Sequence, residues 1–165
     1  MQKITTFLWF DKQAEEAANF YVGIFNNSKI LQITHYPKSA TAAAGQPAGT
    51  VMTVNFELDG QLFTALNGGP HFKFSEAISL VVNCDTQEEI DRLWAKLIEG
   101  GGREDQCGWL KDKFGLSWQI VPASLSEMLR KPEDAERVMA AVLKMRKLDI
   151  ATLKKAQEGK QTASA

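Results

Sequence analysis

Chemistry near neutral pH needs groups that titrate, coordinate or attack, and this chain carries few. It has two histidines, His35 and His71, and two cysteines, Cys84 and Cys107. His71 follows Gly68-Gly69-Pro70 and precedes the alternating Phe72 and Phe74. There it could act as a general base at the mouth of a cleft, or cap a turn at the surface. His35, just before Tyr36-Pro37, has no feature that favours chemistry. Cys107 is a candidate for nucleophilic attack or proton transfer, and equally for a small buried hydrophobe. A metal set of His71, Cys107 and Asp105 obeys no ligand spacing. Two cysteines are too few for a disulfide framework. With 19 Lys+Arg against 20 Asp+Glu the net charge is −1. No global positive field therefore recruits nucleic acid or an anionic membrane. No apolar run approaches the roughly 20 residues that span a bilayer. The start, MQKITTFLWFDK, lacks the pattern of a signal peptide. A cytoplasmic protein is expected, with neither nucleic acid nor membrane as partner.

The elements that would position these groups show up as a repeat. Displacing the sequence by 73 positions lays Phe7 to Phe25 on Leu80 to Ile98 without a gap. Ala17, Phe20, Tyr21, Ile24 and Phe25 then fall on Ile90, Leu93, Trp94, Leu97 and Ile98. Both stretches read as a strand followed by an amphipathic helix. Asp85 with Glu88, or Thr86 with Glu89, has capping-box spacing, and Gly100 to Gly102 end the second helix. Val51 to Leu58 alternates, with Met52, Val54, Phe56 and Leu58 on one face, and Asp59-Gly60 signals a two-residue hairpin into Gln61 to Asn67. Cys107 to Lys111 and Leu116 to Val121 form the matching hairpin, at an offset of 55. The difference is taken up by Pro37 to Gly49, an Ala-, Gly- and Pro-rich loop expected to be exposed and mobile, or a lid. Each half reads β-α-β-β-β.

The expected architecture is α+β: two βαβββ modules forming a curved eight-stranded mixed sheet with a central cleft, plus C-terminal helices. The modules are residues 1–67 and 76–122 of a domain spanning 1–122, joined by the linker NGGPHFKFS. A helical extension covers 123–158 and a disordered tail 159–165. Pro132 suits the first position of a helix whose stripe is Val138, Val142 and Met145. That stripe packs on the domain or on a second copy. The basic residues Lys144, Arg146, Lys147, Lys154 and Lys155 read as a solvated face.

The paired plan resembles the vicinal oxygen chelate superfamily, which includes glyoxalase I, bleomycin resistance proteins and extradiol dioxygenases. Four segments are similar to its PhnB-like branch, whose domain carries the label 3-demethylubiquinone-9 3-methyltransferase. They are FDKQAEEAANFYVGIF (10–25), GGPHFKFSEAISLVVNC (68–84), QEEIDRLWAKLIEGG (87–101) and QCGWLKDKFGLSWQIVP (106–122). The resemblance covers roughly residues 3 to 122, and the C-terminal segment is similar to tails of the same branch. A methyltransferase using S-adenosylmethionine usually has a Gly-rich strand-to-helix turn in a doubly wound sheet. No such turn is present in this sequence.

The resemblance implies a divalent ion held by the first and last strands of each module. The corresponding positions here are Thr5 or Thr6, Ile78 or Ser79, Thr64 and Gln119. A catalytic divalent site needs about three His, carboxylate or thiolate ligands. No metal and no cofactor are therefore expected. With Gln119 facing the cleft, as the resemblance implies, parity turns Trp118 to the helix layer, and Trp109 shares its face with Cys107. The expected ligand-binding residues are Phe7, Trp9, Thr64, Asn67, Phe74, Trp109 and Gln119. Two function classes follow. One is binding of a small organic molecule in the inter-module cleft. The other is a metal-independent enzyme, glyoxalase-like or of the family's methyltransferase label, with His71 and Cys107 as candidate catalytic residues. The resemblance also implies a homodimer.

Overall fold

A computed structural model describes residues 3–159. The tail expected over 159–165 lies outside the described residues beyond Gly159. The chain divides into two compact units, Met1–Phe74 and Ser75–Ala165. Among the described residues no helix is long and apolar enough to cross a membrane.

The first unit holds β1 (Thr6–Phe10), α1 (Ala14–Ile24), β2 (Lys29–His35), a short α2 (Thr41–Ala44), β3 (Val51–Leu58) and β4 (Gln61–Asn67). Its strands lie in the order β1-β4-β3-β2, with β1 parallel to β4 and the others antiparallel. The period-2 pattern decides which face is covered. Leu8, Phe10, Val54, Phe56, Leu58, Phe63 and Ala65 are buried, together with Ala17, Ala18, Tyr21 and Ile24 of α1. The Phe56 ring stacks between Tyr21 (centroids 6.3 Å) and Phe63 (5.4 Å). Each large apolar side chain taken out of water here contributes about 1.5–3 kcal/mol. Asp59 and Gly60 turn the hairpin with φ of 45° and 82°. Two positive φ values in succession suit the twist of the flanking strands.

The Pro37 to Gly49 loop is mostly exposed, as expected, but it has structure of its own. A 3-10 turn at Lys38–Ala40 leads into α2, which Gly45 ends in the left-handed conformation. Tyr36 N–H donates to Thr50 O (2.9 Å), Gly49 N–H to Tyr36 O (2.9 Å), and Tyr36 Oη–H to Asn67 O (2.7 Å). The linker also folds back on this unit. Trp9 Nε1–H donates to Gly69 O (2.9 Å), the Phe72 ring meets Trp9 edge-on at 4.9 Å, and Phe74 meets Phe10 at 5.2 Å.

The second unit repeats the plan with β5 (Leu80–Cys84), α3 (Gln87–Ile98), β6 (Arg103–Glu104), β7 (Trp109–Lys111) and β8 (Ser117–Pro122). The order is β5-β8-β7-β6, again with the first strand parallel to the last. Thr86 Oγ1 accepts from Glu89 N–H (3.2 Å) and Glu89 Oε2 accepts from Asp85 N–H (2.9 Å), so Thr86, not Asp85, caps α3. Asp112 fixes the β7–β8 turn. Its Oδ1 accepts from Phe114 and Leu116 N–H (2.9 and 3.0 Å), and its Oδ2 from Trp118 Nε1–H (2.9 Å). Trp118 is buried on the side of α3, as expected with Gln119 on the opposite face.

Helices α4 (Leu125–Met128), α5 (Pro132–Val142) and α6 (Ile150–Gln157) complete this unit. Pro132 takes the expected first position of α5. The stripe of α5 packs on its own unit, in a cluster of Val121, Met128, Val138, Val142, Leu148 and Leu153.

The structure corrects the ungapped repeat. Phe7 pairs with Thr64 and Val81 with Gln119, so the strands are displaced by 74 positions. The helices start at Ala14 and Gln87, a displacement of 73. The second unit has one residue fewer between strand and helix. On a strand that slip exchanges the two faces, so it decides which residues are equivalent.

Candidate functional site

In the first sheet one face is covered by α1 and the other is open. The pairing register places Phe7, Thr64, Asn55 and Gln32 in one row across all four strands of the open face. Thr64 Oγ1–H donates to Asn55 Oδ1 (2.9 Å), and Asn55 Nδ2–H reaches Gln32 Oε1 at 3.5 Å, the outer limit of such a bond. Around this row lies a concavity of about 540 Å³ lined by Thr5, Leu31, Gln32, Asn55, Leu62, Phe63 and Thr64. That volume suits a small organic molecule. None of the lining side chains is ionisable.

The corresponding row of the second sheet is Val81, Gln119 and Trp109. Gln119 Nε2–H donates to Ser79 Oγ (2.9 Å). Lys111, next on that face, pairs with Glu76, whose carboxyl it holds below the usual range through this hydrogen bond.

With the first-strand displacement of 74, Thr5 corresponds to Ser79, and the hairpin offset of 55 places Thr64 on Gln119. The four positions that the resemblance assigns to an ion thus carry two threonines, a serine and a glutamine. These offer neutral oxygens, and Gln119 turns its amide nitrogen to Ser79. They do not fit a divalent cation, whose desolvation needs anionic or imidazole donors. Among the described residues no group of three or more His, Cys, Asp or Glu side chains is gathered to hold an ion.

The residues singled out from the sequence are dispersed. Phe7, Trp9 and Thr64 stand on the open face of the first sheet, with Phe7 58% exposed. Trp109 and Gln119 share the open face of the second. Asn67 is buried, its Oδ1 accepting from Ala14 N–H (2.8 Å) and its Nδ2–H donating to Val51 O (3.0 Å), so its carboxamide anchors α1 to β3. Phe74 packs on Phe10 at the strand end. His71 is exposed in the linker of the first unit. Cys107 belongs to the second unit, where β7 begins two residues later than expected. It sits in the preceding turn with φ 61°, donates its N–H to Met145 O (2.8 Å) and packs on the C-terminal helical cluster. Cys84 is buried, and desolvation, aided by Glu89, pushes its thiol up to about 12.

Asn55, Gln32, Leu31 and Leu62 were not anticipated. Asn55 was accessible from alternation, since it lies between the inward Val54 and Phe56. Gln32 was not, because a bulge in β2 breaks the alternation.

Comparisons with known proteins agree with this architecture. The family model for 3-demethylubiquinone-9 3-methyltransferase matches residues 2–121. A PhnB protein of Bacillus cereus, described with the same methyltransferase name, is 39% identical over 73% of this chain and 99% of its own, with a TM-score of 0.64. The chain belongs to this PhnB-like family. The family lies within the vicinal oxygen chelate superfamily. The fold alone is shared with a Pseudomonas aeruginosa protein, 19% identical over 74% of this chain and 98% of its own, TM-score 0.58. It is likewise shared with the fosfomycin resistance protein FosX of Listeria monocytogenes, solved with Mn(II) and sulfate. That protein is 13% identical over 79% of this chain and 98% of its own, TM-score 0.54. No curated protein matches.

Proposed function

We propose that this PhnB-like protein binds a small organic molecule on the open face of its first sheet, independently of a metal ion. The observation that carries this reading is the concavity of about 540 Å³ with seven uncharged lining residues. Leu31, Leu62 and the neighbouring Phe7 offer apolar surface, and Gln32, Asn55 and Thr64 supply a few placed polar groups. That mixture characterises small-molecule sites. The neutral set Thr5, Thr64, Ser79 and Gln119 supports independence from an ion. The methyltransferase chemistry of the family name draws no support from the strand-to-helix turns. These are Asp11-Lys12-Gln13 and Asp85-Thr86, with no glycine to bring backbone N–H groups close to a nucleotide-like cofactor.

A thermal-shift screen of small organic molecules, followed by calorimetric titration of the hits, tests the reading. Leu62→Glu places a charge in the lining and is expected to weaken each hit at least about tenfold. Hits that bind this variant as tightly as the native chain would remove the site from the first sheet.

A further inference from the structure

We infer that the first-sheet concavity selects uncharged ligands through a carbonyl oxygen, with Gln32 and Asn55 as its specificity-determining residues. The inference rests on the proposed binding site and names the class of ligand it takes.

Two features carry it. The first is the bulge in β2. Ile30 pairs with Phe56 and Gln32 with Asn55, so Leu31 is an extra residue. A bulge of this kind re-aims side chains that strict alternation would send to opposite faces. Here both Leu31 and Gln32 line the concavity.

The second is the direction of the polar row. Thr64 donates its hydroxyl hydrogen to Asn55 Oδ1, and Asn55 Nδ2 donates to Gln32 Oε1. Each carboxamide oxygen already accepts one bond within the row, at 2.9 Å for Asn55 and 3.5 Å for Gln32. The hydrogens the row does not use are two on Gln32 Nε2 and one on Asn55 Nδ2. A ketone, ester or amide oxygen accepts from such donors, whereas a hydrocarbon would leave them without a partner in contact. A carboxylate would also accept, but the lining holds no cation to offset its desolvation. The site therefore favours a carbonyl over both the hydrocarbon and the acid of the same shape.

The test uses three matched probes, 2-acetylnaphthalene, 2-ethylnaphthalene and 2-naphthoate. Each is titrated into the full ¹⁵N-labelled chain and followed at the backbone amides of β2, β3 and β4. The ketone is expected to bind about tenfold tighter than the other two. In Gln32→Leu and Asn55→Leu the ketone and hydrocarbon affinities converge. Gln32→Glu, isosteric and so least disturbing to the strand, replaces the outward donors by a carboxylate and weakens both ketone and acid. Equal binding of all three probes at these strands overturns the inference and leaves the proposed site standing. Tightest binding of 2-naphthoate, or a ketone preference that persists in Gln32→Leu, also overturns it. Failure of every probe to move these amides removes the proposed site, and the inference with it.

Discussion

Cys84 and Cys107 show how one residue type acquires two behaviours from its surroundings. Cys84 closes β5 at 1% exposure, and burial raises its pKa to about 12 from an ordinary value near 9. The sign of the linkage follows. Below pH 9 the thiol is protonated in both states and contributes no pH dependence. Above it the unfolded chain loses the proton while the folded chain keeps it, so stability falls as pH rises. This one group supplies a slope of about 1.4 kcal/mol per pH unit between pH 9 and 12. Urea unfolding of the native chain and of Cys84→Ala at pH 8, 9.5 and 10.5 should differ by that slope. Identical pH profiles would contradict the assignment. At pH 8 Cys107, half-buried, is expected to react with Ellman's reagent in the folded protein, and Cys84 only after denaturation. The sequence singled out Cys107 as a candidate and gave Cys84 no role. Their difference comes from tertiary packing that no local pattern records.

Among the elements, those with a strong local signal were legible. The Asp59-Gly60 hairpin, the start of α5 at Pro132 and the stripe of α3 each follow from residues close in sequence. The bulge at Leu31 and the one-residue difference between the two strand-to-helix turns were not. Both are matters of pairing, which is set between residues far apart in the chain. The docking of α6 belongs to the same class. Gln87, at the first turn of α3, donates through Nε2 to Leu148 O (3.1 Å) and accepts through Oε1 from Ile150 N–H (2.9 Å). Lys147 adds an ion pair to Asp91, lowering that carboxyl's pKa chiefly by its hydrogen bond. One glutamine thus joins the start of α6 to α3 by two backbone contacts. Gln87→Ala should raise amide hydrogen exchange over residues 148–157 several-fold and leave the β3–β4 hairpin unaffected. Uniform exchange across the chain in the variant would show that Gln87 has no such local role.

At the scale of the molecule, the duplication was legible because two amphipathic helices and two hairpins recur in the same order. The candidate site was legible only in part. Strand parity put Phe7 and Trp9 on one face and the resemblance singled out Thr64, whereas Asn55, Gln32 and Leu62 join the concavity through the cross-strand register. The register makes Thr5 equivalent to Ser79 and Thr64 to Gln119, among the positions that the resemblance assigns to an ion. Their neutrality supports the proposal that the ligand binds without a cation. The most direct test is calorimetric titration of a screening hit into tag-free protein, first in excess EDTA and then with added Zn²⁺ or Mn²⁺. Dissociation constants are expected to agree within about twofold under all conditions. Binding that vanishes in EDTA and returns with the ion would contradict it.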